Sequence, residues 1–577
     1  MKKFNPIFIT GLTLFLHILS FSQDHKGRLQ ISGSNNLSCQ WMNKQSPYAS
    51  VPIFYIRDEF STRLKIMNIP LYAGVLLTTE NESFRQSMNQ YYLRFAADDW
   101  SGSMPSNLSD SLKKQRSVAE RIFSKVYRLE IGTFFPDYSR IAFSGLPVNG
   151  INIAIMPGPL FLAFSYGSLN RATENTPVYQ SPYQRRMLFA SLGAGKPRQS
   201  HFFLNLLHTY DREATVQPDT FSFVRPADTV VFGGDTIIHT TNEYQMTSSR
   251  KENFIAGADV QLSFLKRKII AGGELSVSMF TPDKEAMKAE IKGAPDWISG
   301  YFDPRLGSHV DYSYLLRMDI RLKTTSIGAS FLRVMPGYES LTNPYIRRDS
   351  KELNVNFSQS IFKRKLMLRA SYKNRDEGSR GQFQNVSFSA TFQPGKWPTI
   401  TVGVFPSVLR SETYSYTNTL YQLSMNYPWK ISSAKQNTSV YFSYQDGKYN
   451  TSEEDRSMKY WNASVNHRSE LGKSAGMTVF ANFSQNMTSE ILRFTYTLGC
   501  NLRYSISKKI KATIGTSFVY RQPGDITLRT NMTASYDAGK AGLFSIKGQH
   551  IYYHYENPGR SGQPGVVIDF SYLIRFQ

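Results

Sequence analysis

The sequence predicts an all-β protein: a transmembrane, up-and-down antiparallel β-barrel of about 26 strands with short periplasmic turns and long extracellular loops. Three observations predict it. Strand-period alternation recurs along most of the 577 residues, aromatic rings bracket aliphatic middles on the apolar face, and short and long connections alternate.

The alternation is clearest at Phe494–Ser505. Phe494, Tyr496, Leu498, Cys500, Leu502 and Tyr504 share one face, and Thr495, Thr497, Gly499, Asn501, Arg503 and Ser505 share the other. Successive side chains leave a strand on opposite faces. A strand of about 9–11 tilted residues crosses a bilayer, with rings at the two water interfaces. The pattern recurs in Tyr312–Lys323, Phe254–Phe264, Val386–Gln393, Tyr421–Trp429 and Ile526–Tyr536. Past residue 24 no apolar run reaches 18 residues, which excludes spanning helices. Aromatic residues make up 14% of the chain, which suits two interfacial girdles.

The N-terminal "MKKFNPIFITGLTLFLHILSFSQ" has Lys2 and Lys3, an apolar run to Phe21, and Ser20 and Ser22 before Gln23. It reads as a secretory signal peptide, residues 1–22, leaving 23–577 as one barrel domain. Only Cys39 and Cys500 occur, so stability is expected from strand pairing and barrel closure rather than disulfides. The formal charge is +23, from 67 Lys and Arg against 44 Asp and Glu. Many of the cations sit at strand ends and turns (Lys266, Arg267, Lys268, Lys363, Arg364, Lys365, Lys508, Lys509) rather than along one stripe. That distribution excludes nucleic acid and favours an acidic lipid surface.

From residue 128 onward 22 strands are counted. The stretch 24–97 reads as four more, near 26–34, 62–69, 71–79 and 90–96, which makes 26, with 22 as the fallback. Both are even, as in bacterial single-chain barrels. Long connections are expected at 169–185, 212–252, 281–309, 335–351, 374–382, 410–418, 447–458 and 555–564, facing outward; the last strand ends at the periplasm. The composition of 212–252, with Phe221, Phe223, Val230, Val231, Phe232, Ile237 and Ile238, predicts an ordered hairpin that caps or lines the entrance. One segment departs from the strand pattern: 109–128 carries Leu112, Ala119, Ile122, Phe123 and Val126 near helical spacing, so a helical insert is expected there. The terminal "VVIDFSYLIRFQ" resembles the insertion signal of outer-membrane proteins, with Phe576 penultimate.

The stretches Leu129–Ala172 ("LEIGTFFPDYSRIAFSGLPVNG…"), Pro295–Arg305 ("PDWISGYFDPR") and Arg333–Asp349 ("RVMPGYESLTNPYIRRD") resemble large outer-membrane β-barrel proteins of the Bacteroidota. The resemblance implies fold and location, and carries no site residues.

The sequence shows no HExxH, paired CxxC or nucleophile elbow, and "GAGKP" (193–197) lacks the spacing of a phosphate loop. No cofactor is expected. His550 and His554 share a strand face about 13 Å apart, too far for one metal. The inward polar face is more informative. Arg317, Arg321, Lys323, Arg369, Lys373, Arg503, Arg529, Lys547 and Arg575 are predicted to face the lumen, opposed by Asp259, Glu274, Asp319 and Asp569. Such charges either pair across the wall or favour anionic solutes. The function expected is a non-enzymatic channel or translocation pore with a basic lumen. The alternative is a scaffold subunit of an outer-membrane machine for secretion, barrel assembly or nutrient capture. A minor one is a membrane-embedded lipid hydrolase using a wall serine with His467 or His550. Expected partners are outer-membrane lipid and lipopolysaccharide, the insertion machinery during biogenesis, and proteins docking on the external loops.

Overall fold

The computed structural model describes residues 29–43, 53–66, 69–79, 88–99, 118–172, 183–197, 199–212, 221–223, 229–232, 235–238, 244–246, 249–289, 302–395, 397–432, 434–451, 454–472, 474–488, 491–522, 524–555 and 565–576. The predicted signal peptide lies outside them.

The wall is one 26-stranded antiparallel sheet. Its first half runs through Leu29–Met42, Phe54–Ile66, Ile69–Thr78, Gln90–Ala96, Val126–Phe134, Val148–Ile155, Leu160–Asn170, Arg185–Gly195, His201–Asp211, Glu252–Phe264, Ile269–Thr281, His309–Arg321 and Thr325–Val334. The second half is Ser350–Ile361, Leu366–Asp376, Gln382–Phe392, Thr399–Arg410, Tyr414–Ile431, Ala434–Thr451, Asp455–Glu470, Ala475–Thr488, Leu492–Ser505, Ile510–Arg521, Asp525–Asp537, Leu543–His554 and Gly565–Phe576. Each strand pairs with the next, and the first pairs with the last from Gly33↔Phe576 to Met42↔Val567. Closure leaves no edge of unpaired N–H and C=O groups, which a bilayer would not tolerate. With strands about 4.8 Å apart and tilted about 40°, such a wall is about 50 Å across.

Strand-parity and register assign every side chain to a face. On His201–Asp211 the odd residues Phe203, Asn205, Leu207 and Thr209 are buried, whereas Phe202, Leu204 and Leu206 are 50%, 47% and 46% exposed. The first set faces in and the second faces lipid. Directly paired residues share a face, so the assignment carries round the barrel. Its outer belt includes Leu204, Val260, Leu275, Leu316, Val402, Leu423, Val465, Leu498, Ile514, Met532 and Ile546. Rings edge the belt at one end through Tyr421, Tyr444, Trp461, Phe483, Tyr496 and Tyr520. Tyr504, Tyr536, Phe544 and Tyr572 edge it at the other, where Phe544 and Tyr572 stack at 4.5 Å. Leu498 and Arg503 lie on opposite faces, and Cys500 lies on the outer face.

The end that carries the termini has tight turns, such as 265–268, 322–324, 362–365 and 506–509. Two of these, Leu265–Arg267 and Phe362–Arg364, place three consecutive non-glycine residues at φ +50° to +69°. The opposite end carries 135–147, 171–184, 212–251, 282–308 and 335–349. Within 212–251, Phe221–Phe223 pairs with Tyr244–Met246 and Thr229–Phe232 with Asp235–Ile238, two short antiparallel ladders.

Three loop expectations are corrected. The connections expected at 374–382, 410–418 and 447–458 are only 377–381, 411–413 and 452–454. Tyr414–Ile431 and Ala434–Thr451 are strands of 18 residues, far longer than the 9–11 or so a bilayer needs. Their outer faces turn polar beyond the ring belt, at Thr417, Thr419, Asp446 and Lys448. There the wall meets water on both sides, so the alternation that marks a strand disappears from the sequence. Of the helix expected near 109–128, Val118–Phe123 is helical, 109–117 lie outside the described residues, and the wall resumes at Val126.

Candidate functional site: the lumen and its inward-folded loops

The largest apolar core lies inside the barrel. Strands from Val126 to Thr281 carry apolar side chains on both faces. Phe161, Ala163, Met187, Phe189, Phe203, Leu207 and Ile255 point inward and are buried. A strand that is apolar on both faces needs cover on both. The cover comes from loops 135–147 and 335–349, which fold into the lumen and place Ile141, Phe143 and Tyr338 at 1%, 1% and 0% exposure in that core. Tyr138 stacks on Phe189 at 5.0 Å. Full burial of such side chains contributes about 1.5–3 kcal/mol each.

The two loops are hydrogen-bonded to each other across roughly 200 residues of sequence. The hydroxyls of Ser340 and Thr342 donate to the carbonyl of Ala142 at 2.6 and 2.5 Å. The Asn343 amide donates to the carbonyls of Arg140 and Ile141 at 3.1 and 2.8 Å, and the Ser144 N–H to that of Thr342 at 3.4 Å. Gly145, at φ +80°, leaves room for Tyr345, whose ring would lie 2.9 Å from an added Cβ.

Glu274, inward-facing on Ile269–Thr281 and 4% exposed, ties the first loop to the wall. It accepts from the Ser139 hydroxyl and from the N–H groups of Arg140 and Ile141, the latter two at 3.0 and 3.3 Å. The Tyr138 hydroxyl donates to Asn152 at 2.8 Å. Burial holds the phenols of Tyr138 and Tyr338 well above the usual tyrosine range.

The predicted inward cations do not form one cluster. Arg317 pairs with Asp259 at 3.2 Å, and Asp259 also meets His201 at 2.8 Å. Lys373 pairs with Glu352 at 3.1 Å. Arg321 and Arg369 border one cavity of about 440 Å³ with Ser326, Ser358, Ser387 and Ser389. Arg503 stands opposite Gly476 and Thr513, Arg529 opposite Ser517 and Ile551, Lys547 opposite Asp569, and Arg575 opposite Ser34. Lys323 is a correction: its strand ends at Arg321, and Lys323 sits exposed in the turn 322–324. His467 and His550 share parity with the lipid face. His467 Nδ1 meets the Thr438 hydroxyl at 3.0 Å rather than a serine, so the geometry assembles no serine–histidine pair at it.

Opposite in character is the inner wall from Thr399 to Ser505. Its register rows read Thr399, Asn426, Ser439, Asn466, Phe480, Gly499; then Thr401, Ser424, Tyr441, Ser464, Asn482, Thr497; then Gly403, Gln422, Ser443, Asn462, Ser484, Thr495. No residue in these rows is charged. Apart from Ser443 and the glycines, all are partly open to the lumen.

Sequence reasoning found the inward cations by parity but missed the loop pair. Its signal was present in the near-continuous apolar runs "LFLAFSY" (160–166) and "FFLNLL" (202–207), which exceed what one lipid-facing side explains. Two of the stretches quoted for the Bacteroidota resemblance, Leu129–Ala172 and Arg333–Asp349, contain these two loops.

No protein-family model matches the chain, and no curated protein does. Among solved structures, the siderophore receptor PirA from Pseudomonas aeruginosa is similar at 8% identity and a TM-score of 0.38, over 95% of this chain and 80% of that one. The translocation pore of the P pilus usher PapC gives 10% identity and a TM-score of 0.35, over 95% and 100%. OccK9 from Pseudomonas aeruginosa gives 10% and 0.29, over 57% and 92%. At these scores the likenesses do not argue for a function.

Proposed function

We propose that the chain is a non-enzymatic outer-membrane channel or translocation pore whose lumen is narrowed on one side by its own loops. The observation that carries this is the asymmetry of the interior. Loops 135–147 and 335–349 pack on the wall of the first half, while the inner face of Thr399–Ser505 stays open. Arg321, Arg369, Arg503, Arg529, Lys547 and Arg575 give the current a preference for anions. The termini lie at the periplasm, and the outer belt meets lipid and lipopolysaccharide. The purified barrel in planar bilayers tests the reading: large steps with an anion-directed reversal potential in a salt gradient are expected. A silent, correctly folded barrel sinks it.

A scaffold reading is favoured by a separate observation. The 18-residue hairpin strands rise above the belt. In addition, residues on both sides of 290–301 lie on the outer face, with Phe302 on Phe254 and Met279, and Lys284 on Glu252 at 3.0 Å. Stoichiometric co-purification of another protein from native membranes in mild detergent, lost when the 411–413 hairpin is shortened, supports that reading.

A further inference from the structure

The open sector of the lumen has a composition that general permeability does not require. Its rows combine amides and hydroxyls, each able to donate and accept, with no charge. Set among them are aromatic rings held flat against the wall. The Phe480 ring occupies the place a Cβ at Gly499 would take, and the Phe405 ring lies 2.6 Å from the Cβ position of Gly403. A glycine beneath each ring lets it lie on the backbone. One face of the ring is then spent on the wall and the other is presented to the lumen. Tyr441 and Tyr460 lie between these two in the lattice, one register row above Phe480 and in the row of Phe405 respectively. Rows are about 6.8 Å apart and strands about 4.8 Å apart, so Phe480, Tyr441, Tyr460 and Phe405 are spread over four rows and five neighbouring strands, with Asn482, Asn462 and Gln445 among them.

We propose that this sector binds a neutral polyhydroxylated chain, an oligosaccharide, and guides it through the pore. The inference rests on the channel reading. Sugar hydroxyls both donate and accept, matching amide and hydroxyl side chains. The positively polarised C–H face of a sugar ring suits the negative face of an aromatic ring. None of the three rows carries a charge of its own, so an anionic polymer would leave most of its charges without partners along them; Arg468 and Arg493 stand only in the rows on either side. An apolar solute would strip water from every amide.

The test uses the full chain in planar bilayers, with neutral maltohexaose as the probe. Polyethylene glycol of equal hydrodynamic size, and an uncharged Gly/Ser peptide of similar length, serve as controls. Maltohexaose is expected to interrupt the current for longer than either control. Phe480→Ala is expected to raise its exit rate roughly tenfold, as for loss of about one stacked ring, and Phe480→Tyr to restore it. Heat-modifiability on unboiled gels confirms folding of each variant. Equal residence of maltohexaose and polyethylene glycol overturns the proposal, as does longer residence of the peptide or an unchanged exit rate in Phe480→Ala. A folded barrel without conductance refutes the channel reading alone. Calorimetry of maltohexaose with the detergent-solubilised barrel then decides the binding site, where saturable heat reduced by Phe480→Ala supports it and no heat overturns it.

Discussion

Removal of the Glu274 carboxylate is expected to release loop 135–147 from the wall. Glu274 accepts three hydrogen bonds, from the Ser139 hydroxyl and the N–H groups of Arg140 and Ile141. Leaving a buried donor without its acceptor costs about 1–3 kcal/mol. Three of them share one carboxylate and are not additive, so about 3–5 kcal/mol is the reasonable loss for Glu274→Ala. At 1.4 kcal/mol or so per tenfold, the ratio of docked to undocked loop falls by about two to three and a half orders of magnitude. Glu274→Gln keeps an accepting oxygen and is expected to lie between. The assay pairs single-channel conductance with trypsin cleavage after Arg140 in proteoliposomes, both of which are expected to rise. The loops' other ties, to each other, to apolar wall residues and to Asn152, Asn253, Ser278 and Asp311, lie on their inner side, so the barrel itself should still form and remain heat-modifiable. A folded Glu274→Ala protein with unchanged conductance and unchanged cleavage would refute the assignment of Glu274 as the anchor.

Leu498→Arg places a cation in the lipid belt and is expected to cost about 2–4 kcal/mol near the midplane, read as lost insertion in liposome folding; Arg503→Leu, on the inner face, is expected to fold normally. Replacing Lys266 (φ +56°) by glycine relieves a left-handed backbone position, and a gain of about 1 kcal/mol is expected in the unfolding midpoint by heat-modifiability. Burial holds the Tyr138 and Tyr338 phenols above their ordinary value. Their contribution to docking is therefore present below about pH 10 and lost as the pH rises further. Conductance is expected to increase above that pH and to do so less in Tyr138→Phe; a flat profile to pH 11 counts against buried phenols. An epitope inserted at Gly378–Arg380 is expected to be reached on intact cells and one at Lys363–Arg364 only after permeabilisation. The reverse result inverts the topology.

The face of Leu498, Cys500 and Arg503 was legible from sequence because a strand repeats every two residues and lipid admits only one kind of side chain. The strand number was legible for the same reason, but the first two strands, weakly patterned and expected near 26–34 and 62–69, run instead over Leu29–Met42 and Phe54–Ile66. Where that solvent ends, legibility ends too. In Tyr414–Thr451 water lies on both sides above the belt, and strand was mistaken for loop. At Lys323 a turn began one residue after the last wall position, and parity alone does not mark where a strand stops. The interior was beyond local reading. Asn343 bonds the carbonyl of Ile141 across 202 positions, and Glu274 meets Ile141 across 133, contacts that exist only because barrel closure brings distant strands round one lumen. The sequence by itself determined a closed transmembrane wall, because periodicity against lipid is a local property of each strand. Only the tertiary structure decided which part of the lumen is filled and which stays open, because that depends on what two loops meet when the circle closes.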